Sequence, residues 1–350
     1  SELASNPDTA ALKLSTGVAN ARNVHSLHTE SGEPIPHVPI GIGTPLTIEI
    51  RHVYTGRFPR AWAWDSDKDM LVVSAMRGLE TYTAAPRAVN YLKRDVTKRS
   101  HHRAASATEQ GTPLVFYSPA LTGLNSVIDL EIVFDEFPSE LFGAIGGATS
   151  AAAGVPVFIP ASGYLLAAGE ILKLLGRAGE ALFDGTPVFK ETHSLSFDRP
   201  GDSKATADFR LVMRDQDEAA LEGKYHVDGT GRLVRKGDGK PYDGDSPYMV
   251  LSLDGRERPD FSSFSPTAAS AAILERFYGK GAGLSAGMEV LTDAMQLYND
   301  WVFRGKAERI ALKLEGMSPG DPGYDDLRKE LDASLKNIQN SALSPEISTD

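Results

Sequence analysis

Cysteine is absent from the 350-residue chain, which excludes disulfide staples, thiolate metal sites and thiol catalysis. Positive charge is in deficit. Thirty-six Lys and Arg face 47 Asp and Glu, a formal net charge of -11, and general nucleic-acid binding is therefore not expected, because phosphate contact needs clustered cations. The local signatures of common catalysts are missing as well. There is no G-x-S-x-G elbow, no phosphate-loop sequence and no H-E-x-x-H. GTG at Gly229 follows a turn and GKGAG near Lys280 lacks a Lys-Ser ending, so neither reads as a phosphate cradle. Finally, charge of either sign is absent over residues 141–169, LFGAIGGATSAAAGVPVFIPASGYLLAAG, between Glu140 and Glu170.

What is present has globular proportions. With 41% hydrophobic and 24% charged residues the chain can bury a core, so disorder is not the default. Residues 1–43 read as a polar arm. They carry neither a basic start followed by an apolar core nor a cleavage pattern, so no signal peptide is expected. His25, His28 and His37 match no metal-ligand spacing and are expected in solvent.

Residues 44–260 read as a mainly antiparallel β-sandwich. TPLTIEIRHVY alternates Leu46, Ile48, Ile50 and then Val53 or Tyr54 with polar neighbours. Further strands are expected at DMLVVSAM, Arg87–Leu92, Pro113–Tyr117, Val127–Phe134, TPVFKETHSLSFD and KATADFRLVMRD. A meander then follows, punctuated by Asp228-Gly229, Asp238-Gly239, Asp243-Gly244 and Asp254-Gly255. His193 lies in an alternating strand and reads as a satisfied sheet residue.

A helical insertion, residues 138–184, interrupts this domain and contains the charge-free stretch. Ser139 can cap its first half, Pro156 and Pro160 break it, and Ala161 to Phe183 forms an amphipathic second half. The prolines divide the apolar run, so a transmembrane helix is not expected. The segment is expected to fold as a hairpin against the β-core, with membrane insertion or subunit contact as alternatives. Residues 261–342 read as a helical region. One helix is expected to place Met288, Leu291, Met295, Tyr298 and Val302 on a face, another to run near Lys306 to Leu314, and a last to use Leu327, Leu331, Leu335 and Ile338. Residues 343–350 read as a frayed tail.

Three weak constellations carry the functional expectations. Trp62 and Trp64 share a face of an extended loop and fit sugar stacking, a membrane interface or a core anchor. Arg87, Lys93, Arg94, Lys98, Arg99 and Arg103, with His101 and His102, form a dense basic run that fits anionic lipid, an acidic protein partner or a solvated loop. Asp65, Asp67 and Asp69 open like a calcium loop, but Met70 and Met76 replace the glycine and glutamate such a loop needs. Acids from other loops, Asp243, Asp245, Asp254 and Asp260, can complete a calcium site in a β-sandwich. In strand count and loop acids the chain resembles C2-like sandwiches, a resemblance that assigns no residue.

The overall expectation is an α+β protein acting as a non-enzymatic interaction module. It would associate with an anionic membrane surface or acidic partner through the aromatic loop and the basic patch. The alternatives are a hydrolase on glycan or ester built on a β-sandwich, and a structural or assembly protein, hence an oligomer, using the apolar insertion as a subunit contact.

Overall fold

The computed structural model describes residues 36–59, 68–78, 87–103, 111–123, 125–137, 139, 142, 188–197, 205–261 and 288–347. It is a mixed α+β structure with antiparallel sheets. The strands are β1 (Leu46–Tyr54), β2 (Lys68–Gly78), β3 (Arg87–Val96), β4 (His101–Arg103), β5 (Leu114–Ser118), β6 (Asn125–Asp135), β7 (Phe189–Ser196), β8 (Phe209–Val212), β9 (Tyr225–Val227), β10 (Leu233–Arg235) and β11 (Tyr248–Asp254). The helices are α1 (Asp215–Leu221), α2 (Met288–Glu315) and α3 (Tyr324–Lys336).

A five-stranded sheet has the order β4-β1-β11-β8, with β5 continuing the β4 side of β1. A four-stranded sheet has the order β3-β2-β6-β7. Leu46, Ile48, Ile50, Val53, Met249, Leu251 and Leu253 from the first sheet share one core with Met70, Val72, Ile128, Leu130, Ile132 and Leu195 from the second. The outer face of the first sheet is covered by the small β9–β10 hairpin, whose Val227 and Leu233 pack with Tyr54, Leu211, Tyr242, Tyr248 and Val250. Every residue of β11 but the last is buried, because β1 and β8 pair with it on either side and both its faces are covered.

One irregularity decides which face carries polar chemistry. The β1–β11 register slips between Ile50 and His52, leaving exposed Arg51 as the extra residue of a bulge. Strict alternation would keep positions 50, 52 and 54 on one face. The bulge instead sends Val53 to the shared core and turns His52 and Tyr54 to the outer face, beneath the hairpin.

The C-terminal helices form an antiparallel pair whose core is Ala307, Ile310, Leu314 and Leu331, with Leu327, Leu335 and Ile347 against it. The expected break between two helices near residue 305 does not occur: α2 runs unbroken through Gly305. Its buried side is marked by Asn299, Asp300, Phe303, Ala307, Ile310 and Leu314, whereas Tyr298 is about half exposed at 49%. After α3 the chain stays packed as far as Ile347, and residues 348–350 lie outside the described residues. Asp300, fully buried, accepts the backbone N–H groups of Gln339 (3.0 Å) and Asn340 (2.9 Å), and Ile347 packs on the helix pair.

Of the charge-free stretch only Phe142 is described, and the remainder lies outside the described residues. Among the described residues no helix is long and apolar enough to cross a membrane.

Candidate functional site

The basic run folds as a strand–turn–strand whose Lys93, Arg94, Lys98, Arg99 and Arg103 are exposed. Arg87–Val96 forms β3 at the edge of the second sheet and His101–Arg103 forms β4 at the edge of the first. The turn between them bonds back to the β1 end, where Arg99 N donates to Gly56 O (2.6 Å) and Thr55 N to Ser100 O (3.2 Å). Strand alternation then separates the two adjacent histidines. His102 turns inward beside Tyr91, with ring centroids 5.8 Å apart, and His101 turns outward onto Tyr54, at 4.5 Å.

His101 thereby meets His52, which the bulge has delivered to the same face. His52 Nε2 lies 2.9 Å from His101 Nδ1, and the His52 ring stacks on Tyr248 at 5.7 Å. Arg103 is the register partner of His52 across the β1–β4 pair. The turn of the β9–β10 hairpin closes the other side. There Asp228 Oδ1 accepts Thr230 N (2.9 Å), Thr230 Oγ1 (2.6 Å) and Arg232 N (3.1 Å). Gly231 adopts φ +79, where a Cβ would come within 2.9 Å of the Arg51 side chain. Together His52, His101, Arg103, Thr230 and Arg232 line an open cleft of about 130 Å³.

The electrostatics of this cleft are one-sided. Burial pushes His52 down to about 3, helped by the positive charge of His101, Arg232 and His102 and opposed by Asp228. Burial and Arg232 likewise hold His101 at about 4, against a hydrogen bond to the Tyr242 backbone and the charge of Asp243, both of which favour protonation. The two imidazoles are therefore neutral at physiological pH. The permanent charge belongs to the guanidinium groups. Among the described residues neither Arg103 nor Arg232 has a carboxylate partner, and Arg232 Nε is buried with no hydrogen-bond partner. Two unpaired guanidinium groups converging on a cleft in a protein of net charge -11 is an arrangement that attracts anions.

The remaining basic residues divide by what they touch. Lys93 and Lys98 are exposed. The Arg94 guanidinium stacks over the Phe142 ring at 3.9 Å and reaches Ser139 Oγ at 3.3 Å. Arg99 is held by Asp245 at 2.7 Å. Arg87 pairs with Ala75 in the β2–β3 ladder, and its side chain lies outside the described residues, as do Trp62 and Trp64.

Of the acids in the calcium expectation, Asp69, Asp245 and Asp254 have partners. Asp65 and Asp67 lie outside the described residues. Asp69 is buried, and its two oxygens accept Asp95 N and Phe137 N at 3.3 Å each. Asp245 is paired with Arg99, and Asp254 Oδ1 accepts Val38 N (2.9 Å) and Arg256 N (3.1 Å). Among the described residues no three His, Asp or Glu side chains converge as metal ligands.

A serine and a histidine do meet. Ser100 Oγ lies 2.7 Å from His102 Nε2, but it also lies 2.7 Å from the Thr97 carbonyl, which can only accept. The single hydroxyl proton goes to that carbonyl, so His102 Nε2 is the donor and has no lone pair with which to act as a base toward Ser100. His37 and His193 differ from expectation too. His37 is bonded to Ser252 Oγ at 3.1 Å and packs edge-on against Phe209 at 4.8 Å instead of standing in solvent. His193 Nε2 is buried without a partner, and burial holds this imidazole at about 4.

Sequence reasoning found Arg103 but neither the His52–His101 pair nor Arg232. The one local signal was the doublet His101-His102 in an extended segment, which must place one ring on each face of a strand. No protein-family model, curated protein or solved structure matches the chain.

Proposed function

We propose that the chain is a β-sandwich binding module that engages a partner's anionic group in the cleft between β4 and the β9–β10 turn. The observation that carries this reading is the pair of unpaired guanidinium groups, Arg103 and Arg232, set against neutral imidazoles and a fixed turn. The shared core of the two sheets supports the sandwich description. It gives the cleft a rigid backing, because His52 and His101 sit on paired strands.

The magnitudes require recognition as well as attraction. A cation near a charged membrane contributes about 1 kcal/mol, so two of them fall short of even a millimolar complex. Charge-assisted hydrogen bonds from the guanidinium groups to one anionic group supply the difference. Lys98, exposed on the β3–β4 turn, adds long-range attraction that salt screens.

The test is cosedimentation with anionic and with neutral vesicles, alongside a titration with soluble oxyanions, each at low and high salt. Binding to anionic ligands that weakens with salt, and weakens further in Arg103→Ala and Arg232→Ala, is the expected result. Equal behaviour of wild type and both variants toward every anion removes the reading.

A further inference from the structure

We propose that the cleft of His52, His101, Arg103, Thr230 and Arg232 is selective for a terminal phosphate, inorganic or monoester, over a sulfate of the same shape. This rests on the anion-binding reading above and deepens it from charge to chemistry.

Size comes first. The cleft is small and open, with a volume of about 130 Å³. That suits one tetrahedral oxyanion with a water or two, and it is well below the ~300–1,000 Å³ of pockets that enclose a whole small molecule. The cleft reads a single group at the end of its ligand, whatever the rest of that ligand is.

Hydrogen-bond polarity decides which group. Arg103 and Arg232 offer only donors, and Arg232 Nε is a buried donor still without an acceptor. The other lining groups lean the opposite way. Thr230 has already given its hydroxyl proton to Asp228 Oδ1, 2.6 Å away, so its Oγ1 presents lone pairs. The histidine pair shares one proton between His52 Nε2 and His101 Nδ1. In either tautomer of a neutral pair, one of the two outer nitrogens, His52 Nδ1 or His101 Nε2, remains an acceptor. If the hydrogen bond to the Tyr242 backbone is made by the outer nitrogen of His101, the acceptor is His52 Nδ1.

A fully deprotonated oxyanion meets these lone pairs with lone pairs of its own, which costs about 1–3 kcal/mol for each buried polar group left unpaired. A phosphate monoester, whose second pKa is near 6, brings a proton and donates it to the acceptor side while its other oxygens accept from the guanidinium groups. Sulfate carries no proton near neutral pH and must draw one from solvent onto an imidazole that burial, Arg232 and the neighbouring histidines all hold neutral. Asp228 and Asp243 are the negative charges facing the pair, and they do not reverse that balance.

The experiment follows the histidine ring signals of the full chain by NMR while inorganic phosphate or sulfate is added near pH 6 at constant ionic strength. Expected are saturable shifts of His52 and His101 with phosphate, at least tenfold weaker binding of sulfate, and loss of the phosphate response in Arg103→Ala. Arg103 is exposed, so that variant keeps its fold; Arg232→Lys provides the second removal of a guanidinium fork. Vesicles of phosphatidic acid, which end in a phosphomonoester, against vesicles of phosphatidylglycerol, which carry only a diester, identify the source. Preference for the first points to a lipid headgroup, and phosphate binding without vesicle binding points to a soluble ligand; both support the cleft. Equal affinity for sulfate and phosphate overturns the selectivity while leaving anion binding in place. No response to either anion overturns both readings.

Discussion

His52 Nε2 and His101 Nδ1 lie 2.9 Å apart across the β1–β4 pair, two imidazoles held together by one shared proton. Unfolded, each titrates near 6.5. Folded, burial and the nearby positive groups push them to about 3 and about 4. Between those values and 6.5 the unfolded chain binds protons that the folded chain refuses. The pair's contribution is therefore complete above about pH 6.5 and is lost on acidification, at up to about 1.4 kcal/mol per pH unit for each group. Glu191 and Glu218 oppose this: burial raises both to about 7, so their contribution is present at low pH and is lost as pH rises toward 7. The difference between wild type and His52→Phe cancels the glutamate part. Urea unfolding from pH 4.5 to 7.5 should give a flatter acid limb in the variant, and parallel curves would mean that the pair does not titrate as described.

The same pair shows what the sequence could and could not reveal. Alternation in TPLTIEIRHVY located β1 but left Val53 or Tyr54 on the core face. Only the Arg51 bulge, set by pairing with distant β11, resolves that choice and sends His52 to the site. Arg232 was hidden for the same reason, since the β9–β10 hairpin reaches β4 by covering the outer face of the sheet rather than by proximity in sequence. The stripe of α3 was legible because Leu331 and its neighbours repeat at helical spacing. α1 was not, because its seven residues only half-bury Glu218 and Leu221 and leave no apolar period to read. The two helices expected on either side of residue 305 are one: the cost of Gly305, about 1 kcal/mol, is small beside the burial of Phe303, Ala307 and Ile310 around it.

Asn337 joins the helix pair to the sheets. Its Nδ2 donates to Ala120 O at 2.7 Å and to Ala333 O at 2.8 Å, and the residue is 3% exposed. Asn337→Ala takes a donor from both carbonyls, although Ala120 O keeps the Ser118 hydroxyl at 2.9 Å, and should cost about 1–2 kcal/mol. Asn337→Asp keeps the shape but sets lone pairs against both carbonyls, so it should cost more. Denaturant unfolding measures the difference, and amide exchange in the 118–122 loop should rise in both variants. An aspartate variant more stable than the alanine one would show that shape, and not donation, is what matters here.

Arg99 combines a favourable contact with an unfavourable backbone. Its ion pair with Asp245 is short at 2.7 Å, but the side chains are 54% and 62% exposed, and its φ of +57 is costly for any residue with a Cβ. Arg99→Gly loses the pair and gains the freedom of glycine, whereas Arg99→Ala loses the pair and keeps the strain. The glycine variant should melt at or above the wild-type temperature and the alanine variant below it. Both should retain the anion response, because Arg99 does not line the cleft.

Gly56 anchors the turn on which β4 depends. It sits at φ +60, its carbonyl accepts Arg99 N at 2.6 Å, and a Cβ there would collide with the backbone at Asp245, with Pro247 N at 2.6 Å and with Ser246 C at 2.8 Å. Gly239 has nearly the same φ, +65, but nothing within 4 Å of where its Cβ would be. Gly239→Ala therefore measures the left-handed backbone alone, about 1 kcal/mol. Gly56→Ala adds overlap with backbone atoms that cannot swing aside, and it should cost at least about 2 kcal/mol beyond that. Because the displaced segment holds β4 through Arg99 and Ser100, the Gly56 variant should also disturb the His52 and His101 ring signals, and the Gly239 variant should not. Equal losses in the two variants would mean that the 245–247 backbone yields freely, and the turn that holds β4 would then not depend on the space at Gly56.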